Sequence, residues 1–303
     1  MSAADWLFHG GAIHAGTPGT GTTGALAVAG NRIAALGEEA IALRGPRTEV
    51  VDLAGGALLP GFQDAHIHAV VGGLQQLGCD LAVLHDLDEY RAAIRAFSDD
   101  HPHASWIQGS GWYGDVFPGG FPHRDELDRL VPGRPAVFLS HDAHGVWVNS
   151  AALRLAGIGR HTPDPPGGRI MRDASGEATG MLAESATGLV TRLLPPVTAA
   201  QRAEALLRAQ AYLHGLGVTA WQDAAVGSLL ADEAVDARTA VHAYTLGAAR
   251  ANRLDAETGS LEPGKLADLV VLDRDPLAVP ATELSSIQVR ATFVDGQPVH
   301  AAG

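Results

Sequence analysis

The sequence predicts a mixed α/β fold with β-rich ends, and three observations predict it. Near the N-terminus, short apolar runs alternate with glycine turns, as at residues 25–28 before Gly30-Asn31. Near the C-terminus, the apolar run 289–294 leads into Asp295-Gly296, a dipeptide typical of a tight hairpin. Between the ends, helical and strand patterns alternate, which is typical of α/β architecture.

The N-terminal apolar runs predict a β-meander. We expect strands at residues 6–8, 25–28, 33–36 and 50–53, because each run is short and is bounded by Gly or Asn. The C-terminal region resembles it, with strands expected at residues 269–272 and 289–294.

The middle of the chain contains one well-marked helix. Thr198 and Gln201 have the spacing of a capping box, and apolar residues recur at helical spacing until Gly215 and Gly217. A short strand at residues 218–221 and a helix at about 233–250 follow. The segments 111–135 and 160–177 are rich in Gly, Pro and Asp and are expected to be loops.

The charge balance argues against a polyanionic partner. The 303 residues carry 21 Lys and Arg against 34 Asp and Glu, a formal net charge of −13. Such a chain has no basic footprint for nucleic acid or an anionic membrane surface. No apolar run approaches the ~18 residues that a membrane-spanning helix needs. We therefore expect no nucleic-acid and no membrane partner.

The single cysteine, Cys79, cannot form an internal disulfide. A buried, small apolar role for it is favoured over a catalytic thiol. The N-terminal segment has no basic region followed by an apolar core, as a secretory leader would have. The expected location is the cytoplasm.

The segment Asp64-Ala65-His66-Ile67-His68 carries the clearest chemistry. If it lies on a strand, Asp64, His66 and His68 share one face, since residues two apart point the same way. Two imidazoles on one face can bind a common metal ion. The alternative is that both are ordinary polar histidines, because a metal site needs more than two ligands. A second pair, His101-Pro102-His103, is interpreted as a chance occurrence.

The longer string LLPGFQDAHIH at residues 58–68 resembles the first-strand signature of the amidohydrolase superfamily. The blocks at residues 106–112, 137–150 and 179–184 are similar to its YtcJ-like branch, amidohydrolase family 3, which includes an N-substituted formamide deformylase. The string GSLEPGKLADLV at residues 259–270 is similar to the superfamily's return to its small β-domain.

This resemblance implies a partial TIM-like metal-dependent hydrolase barrel with a small β-sandwich formed from both chain ends. It places the β-sandwich at residues 1–56 and 252–303, and the barrel domain at 57–251 with an insertion at about 80–195. It implies a divalent metal, zinc in most members, with His66 and His68 as metal ligands. The implied reaction is hydrolysis of C–N bonds other than peptide bonds in a small-molecule substrate.

The resemblance also implies a truncated barrel. An eight-stranded barrel domain takes about 250 residues, which is more than residues 57–251 supply. Only the segments 58–68 and 217–223 resemble barrel strands, and the sole lysine, Lys265, lies in the C-terminal tail. The strands that carry the family's other metal ligands and its general base therefore have no counterpart. Unpaired strand edges also make a homo-oligomer one expected outcome.

Further residues have two interpretations each. By resemblance, Asp142 and His144 are substrate-binding candidates, and capping or ordering of a loop is the alternative. Glu184 is a third substrate-binding candidate; it could also bridge a metal, but a solvated or salt-bridged glutamate is favoured over that role. Trp106 and Trp112 are favoured as core residues over a substrate platform. Asp223 ends a predicted strand, where barrel catalysis occurs, yet Asp is also a common strand terminator.

Two functions remain open on the sequence. The first is a metal-dependent amidohydrolase of small molecules, whose catalytic residues stay unassigned. The second is a non-catalytic truncated remnant that binds metal weakly or serves as an interaction module. The motifs favour the first, and the length of the barrel region favours the second.

Overall fold

The structure is a computed structural model that describes residues 3–16, 22–223 and 236–302. By residue contacts it divides into two compact units. Unit 1 comprises residues 1–69 and 208–303, and unit 2 comprises residues 70–207. Within the described residues, none of the helices combines the length and the apolar character that crossing a lipid bilayer requires.

Strands and helices alternate along the described chain. The first half contains β1 (Trp6–His14), β2 (Thr22–Ala29), β3 (Arg32–Leu36), α1 (Gly37–Ala42), β4 (Glu49–Asp52), β5 (Ala57–Pro60), β6 (Phe62–Ile67), α2 (Ala69–Gln76), β7 (Cys79–Asp80), α3 (Leu87–Asp100), β8 (Ile107–Trp112), α4 (Arg124–Leu130), β9 (Ala136–Ser140), β10 (Gly145–Val148) and α5 (Ser150–Leu155).

The second half contains β11 (Gly168–Arg172), β12 (Ala178–Glu184), α6 (Gly188–Thr191), α7 (Ala199–Gly215), β13 (Val218–Asp223), α8 (Ala237–His242), a π-helical turn (Ala243–Gly247), α9 (Ala248–Ala251), β14 (Leu269–Leu272), β15 (Val289–Val294) and β16 (Gln297–Ala301). The mixed α/β class expected from the sequence is confirmed by this order of elements.

An eight-stranded sheet dominates unit 1. Its order is β16-β15-β14-β5-β1-β2-β3, with β4 paired to β1, so strands from both ends of the chain lie in one sheet. The apolar residues that alternate along these strands form one buried cluster, which includes Phe8, Leu26 and Phe293. This sheet supports β5, which leads directly into β6.

The hairpin expected at Asp295-Gly296 is confirmed. Both residues have positive φ, 53° and 72°, as a two-residue hairpin turn requires. The turn is held to the sheet because the Asp295 N–H donates to the Asp268 carboxylate at 3.0 Å.

The helix expected after Thr198 is confirmed as α7. The Gln201 N–H donates to the Thr198 hydroxyl, and the Thr198 N–H donates to the Gln201 side chain, at 3.2 and 3.0 Å. This reciprocal bonding is the capping box that the spacing predicted. The helix expected at about 233–250 is observed as α8, the π-helical turn and α9, which together run from Ala237 to Ala251. Residues 233–235 of the expected range lie outside the described part of the chain.

β6 and β13 pair in parallel as a separate two-stranded sheet of unit 1. The Phe62 N–H donates to the Gly217 carbonyl at 2.9 Å. Gly217 has φ of 78°, and a Cβ there would lie 2.6 Å from the Val270 side chain. Glycine is therefore required where the chain turns into β13.

Unit 2 is built around a six-stranded sheet in the order β11-β12-β10-β9-β8-β7. β7, β8 and β9 run parallel, and β9 to β12 form antiparallel pairs. Helices and loops cover apolar clusters on this sheet that contain Trp147, Tyr90 and Phe138.

Both segments expected to be loops contain regular structure, so those predictions were wrong in part. Residues 111–135 include α4, in which Leu127 and Leu130 are buried and the His123 side chain accepts from the Asp125 N–H. Residues 160–177 include β11, which pairs with β12. Both elements are stabilised by packing and pairing with distant residues, which local composition does not reveal.

Candidate functional site

The strand β6 carries the predicted metal ligands. Gly61 precedes it, and a Cβ at Gly61 would lie 2.3 Å from the Thr219 side chain, so only glycine allows β6 to approach β13 this closely. Asp64 and His66 lie within the strand and His68 directly follows it. The carboxyl end of β6 therefore holds all three residues of the motif.

His66 and His68 lie close together, and both are exposed. Their ring centroids are 5.7 Å apart, with an angle of 73° between the ring planes. Two imidazoles bound to one tetrahedral zinc ion at ~2.0 Å have centroids about 5 Å apart. The spacing of the two rings is thus compatible with one shared ion.

The rest of a metal centre is absent from the described residues. Over residues 3–16, 22–223 and 236–302, no group of three or more His, Cys, Asp or Glu side chains is placed to hold a metal ion. The Asp64 carboxylate instead accepts the His66 N–H at 2.8 Å. A structural zinc site has four protein ligands and a catalytic one has three. The described residues do not make a complete centre, and a metal-binding role for His66 and His68 stays a prediction.

Gln63 is a residue that the sequence did not single out. Its side chain is fully buried, beside a cavity that Asp64 and His66 also line. Its amide donates to the Thr258 hydroxyl at 3.4 Å, and Thr258 donates to Asp268 at 3.1 Å. Its Oε1 accepts no hydrogen bond from the described residues. A buried acceptor without a donor costs about 1–3 kcal/mol, so the Gln63 side chain destabilises the fold by this order at its position beside the motif.

A second cavity lies in unit 2 and brings Asp142, His144 and Glu184 together. It measures about 380 Å³. His144 Nδ1 lies 3.2 Å from Glu184 Oε1, and Asp142 accepts the His144 N–H at 3.1 Å. Their roles in substrate binding are not tested by this placement and stay predictions.

The turn between β9 and β10 positions Asp142. Its carboxylate accepts the Ser140 hydroxyl at 2.6 Å, and this hydrogen bond is the main cause that lowers the pKa of Asp142 below its ordinary value. The same hydroxyl accepts the Gly145 N–H at 2.9 Å. Asp142 is therefore held as a carboxylate at neutral pH.

Aromatic side chains also line this cavity, namely Trp112, Tyr113 and Phe121. Tyr113 stacks on His141 with centroids 4.3 Å apart, and its hydroxyl lies 3.3 Å from His141 Nε2. Tyr113 and Phe121 were not predicted as site residues, because they lie in a Gly-rich segment without periodicity. The only signal was the aromatic run Trp112-Tyr113 at the end of an apolar strand.

Two non-glycine residues at this cavity have positive φ. Ala143 has φ of 61°, and Glu184 has φ of 53° with ψ of −130°. Such conformations cost of order 1–3 kcal/mol and persist when surrounding structure enforces them. The Glu184 N–H donates to the His144 carbonyl at 2.8 Å, which fixes Glu184 against the start of β10.

Other sequence predictions have clear outcomes. Trp106 and Trp112 are 8% and 4% exposed, which confirms them as core residues. Cys79 is 3% exposed, and burial raises the pKa of its thiol to about 12, which confirms the buried role. Asp223 is the last residue of β13.

The chain matches the model of the amidohydrolase family over residues 49–232 and again over 220–300. The matches cover well over half of the chain, so it belongs to the amidohydrolase family. This confirms the resemblance carried by residues 58–68 and the later blocks.

Two curated relatives illustrate the match. The chain is 40% identical over 165 residues to the putative amidohydrolase YtcJ of Bacillus subtilis, covering 54% of this chain and 31% of that protein. It is 38% identical over 172 residues to the N-substituted formamide deformylase of Arthrobacter pascens, covering 55% of this chain and 32% of that protein. The matched region thus spans about a third of the length of these relatives.

Among solved structures, the chain is similar to an uncharacterized metal-dependent hydrolase from Pyrococcus furiosus. The sequence identity is 23% and the TM-score is 0.49, over 74% of this chain and 45% of that one.

Proposed function

We propose that this protein hydrolyses a C–N bond other than a peptide bond in a small molecule. The observation that carries the proposal is the spacing of His66 and His68, 5.7 Å between ring centroids, at the carboxyl end of a strand whose sequence matches the amidohydrolase family. The similar deformylase acts on N-substituted formamides, which makes small formamides the first compounds to assay.

The proposed fold is a partial TIM-like barrel of which β6 and β13 are two neighbouring strands. Their parallel pairing supports this, since barrel neighbours are parallel. The proposed barrel domain is residues 57–251, with an insertion at about 80–195 and a β-sandwich from 1–56 and 252–303. The barrel is truncated in this proposal, because the described residues contain no further strand paired with β6 or β13.

His66 and His68 are proposed as two ligands of a divalent metal, zinc by the family resemblance. Such an ion supplies a water of lowered pKa and polarises the scissile carbonyl. The remaining ligands would come from outside the described residues, so no catalytic step is assigned to a residue of this chain. A homo-oligomer that joins two incomplete sites is one source of such ligands.

Asp142, His144 and Glu184 are proposed to contact the substrate. Their convergence on one cavity supports this role, as does the strained backbone at Glu184. A cytoplasmic location belongs to the same proposal and rests on the single, buried cysteine.

An activity assay tests the proposal. Purified protein with added zinc is incubated with a panel of N-substituted formamides and small amides, and amine release is measured. His66→Ala/His68→Ala is the test variant, and His101→Ala/His103→Ala is the matched control, because it removes the other His-x-His pair. We expect zinc-dependent turnover that only the first variant loses. Turnover that is equal in both variants, or absent across the panel, contradicts the proposal.

The second candidate function is a non-catalytic remnant that binds metal weakly or serves as an interaction module. It is motivated by the described residues, in which no third ligand is placed to join His66 and His68 around an ion. This candidate predicts that the protein binds zinc through His66 and His68 but shows no turnover in the same assay.

A further inference from the structure

The cavity that holds Asp142 and Glu184 is chemically distinct from the other described cavities of unit 2. The described residues that line it include these two carboxylates and no Lys or Arg. By contrast, the cavity beside Phe97 and Trp106, about 300 Å³, is lined by neutral residues and one histidine. A third cavity, beside Val137, has no charged lining residue among those described.

The same cavity is also lined by aromatic side chains. Trp112, Tyr113 and Phe121 line the cavity together with Met181. Phe121 is 55% exposed, which is unusual for a phenylalanine, and the faces of aromatic rings carry negative electrostatic potential. Carboxylates and ring faces both attract cations, and both types of group bound this one space.

The carboxylates retain capacity for a ligand. Glu184 is paired with His144, whose charge depends on protonation, rather than with a permanently charged Arg or Lys. Asp142 accepts hydrogen bonds from the Ser140 hydroxyl and from the backbone N–H of His144, and both of these donors are neutral. Neither carboxylate is paired with an Arg or Lys among the described residues, so both can attract a cationic ligand, with a strength that solvent screening reduces.

We propose that this cavity binds a small organic cation, an alkylammonium group carried on an aromatic or aliphatic body. The ammonium N–H groups donate to Glu184 and Asp142, and the body packs on the exposed ring of Phe121. The cavity volume of about 380 Å³ accommodates a ligand of about ten non-hydrogen atoms. This inference rests on the proposed substrate-binding role of the cavity and names its ligand class; it requires neither metal nor turnover.

The test compares ligands matched in size that differ in charge. Phenethylammonium, 2-phenylethanol and phenylacetate are titrated by calorimetry into the intact protein, treated with a chelator so that no metal contributes. We expect phenethylammonium to bind at least about tenfold more tightly than 2-phenylethanol, with phenylacetate weakest. The preference should shrink as salt is added, because salt screens exposed charges. Equal affinities, or tighter binding of phenylacetate, overturn the proposal.

Variants locate the site. Glu184→Gln and Asp142→Asn should each reduce phenethylammonium affinity and leave 2-phenylethanol affinity unchanged, and together they should abolish the preference for the cation. Glu177→Gln is the matched control, because Glu177 is a partly exposed glutamate of the same unit that pairs with Arg160 and does not line the cavity. A preference that survives the double variant, or that Glu177→Gln also removes, overturns the proposal. Because binding is measured without metal, a failed hydrolysis assay does not affect this result.

Discussion

His144 Nδ1 and Glu184 Oε1 lie 3.2 Å apart although 40 residues separate them in the chain. The antiparallel register of β10 and β12, with Gly145 opposite Ala183, sets this proximity. The backbone pairing extends one residue further, because the backbone N–H of Glu184 donates to the His144 carbonyl at 2.8 Å. The pairing of β10 with β12 therefore places these two residues side by side at the cavity.

The strained backbone at Glu184 gives the first prediction. Its φ of 53° suits glycine, so Glu184→Gly should have a free energy of unfolding about 1 kcal/mol above that of Glu184→Ala. Both variants lose the Glu184 carboxylate and should weaken the preference for cationic ligands by the same factor. Chemical denaturation compares the pair. If the glycine variant is the less stable one, the conformation at Glu184 is not strained.

Cys79 gives the second prediction. Burial raises the pKa of its thiol to about 12, so only about one molecule in ten thousand carries a thiolate at pH about 8. A chromogenic disulfide reagent should react very slowly with the native protein and release one equivalent of chromophore in denaturant. Rapid stoichiometric reaction of the native protein would show that the thiol is accessible.

Local patterns predicted the elements whose signals lie within a few residues. The capping box at Thr198 and the turn at Asp295-Gly296 are both observed, because short-range hydrogen bonds and backbone preferences define them. α4 was missed because its stability comes from burial of Leu127 and Leu130 rather than from its own composition. β11 was missed because pairing with β12 determines it.

Asp268 gives the third prediction. It is 7% exposed, and burial raises its pKa above its ordinary value of 3.8, despite hydrogen bonds from Thr258 and the Asp295 N–H. An acid with a raised pKa in the folded state stabilises the fold fully below the unfolded pKa, and this contribution is lost as pH rises through the folded pKa. The variant Asp268→Asn lacks this pH dependence, because asparagine does not titrate.

The free energy of unfolding of the wild type relative to Asp268→Asn should therefore fall as pH rises from about 4 towards 8. Denaturant unfolding of both proteins across this range measures it. Because other titrating groups are common to both proteins, they cancel in the difference. A difference that stays constant or rises with pH contradicts the raised pKa.

The single neighbour of β6 gives the fourth prediction. Within the described residues, β6 pairs with β13 alone, so the sheet has open edges. Such edges pair readily with other chains, and we expect concentration-dependent self-association. Light scattering after size exclusion measures it. Ala65→Lys on β6 should weaken the association, whereas Ala42→Lys, at an exposed helix end, should not. A monomer at all concentrations would refute this expectation.

The candidate sites were predictable only in part. The motif at residues 64–68 predicted His66 and His68 as candidates. The later blocks predicted Asp142, His144 and Glu184. The sequence did not reveal the aromatic wall of the second cavity or the buried, unpaired Oε1 of Gln63, because both depend on tertiary packing. The carboxylate and ring positions that define a ligand class become visible only in three dimensions.

Zinc titration of the chain tests the central claim most directly, namely that His66 and His68 are two ligands of a metal centre that the described residues alone do not complete. Calorimetry is applied to the metal-free wild type, His66→Ala/His68→Ala and the control His101→Ala/His103→Ala. Loss of one residue that merely hydrogen-bonds to a metal ligand already lowers metal affinity about ten- to a hundredfold. The variant that lacks both histidines should therefore bind zinc at least about tenfold more weakly than the wild type. The control should match the wild type. Zinc affinity that is unchanged by replacement of His66 and His68 would contradict the account.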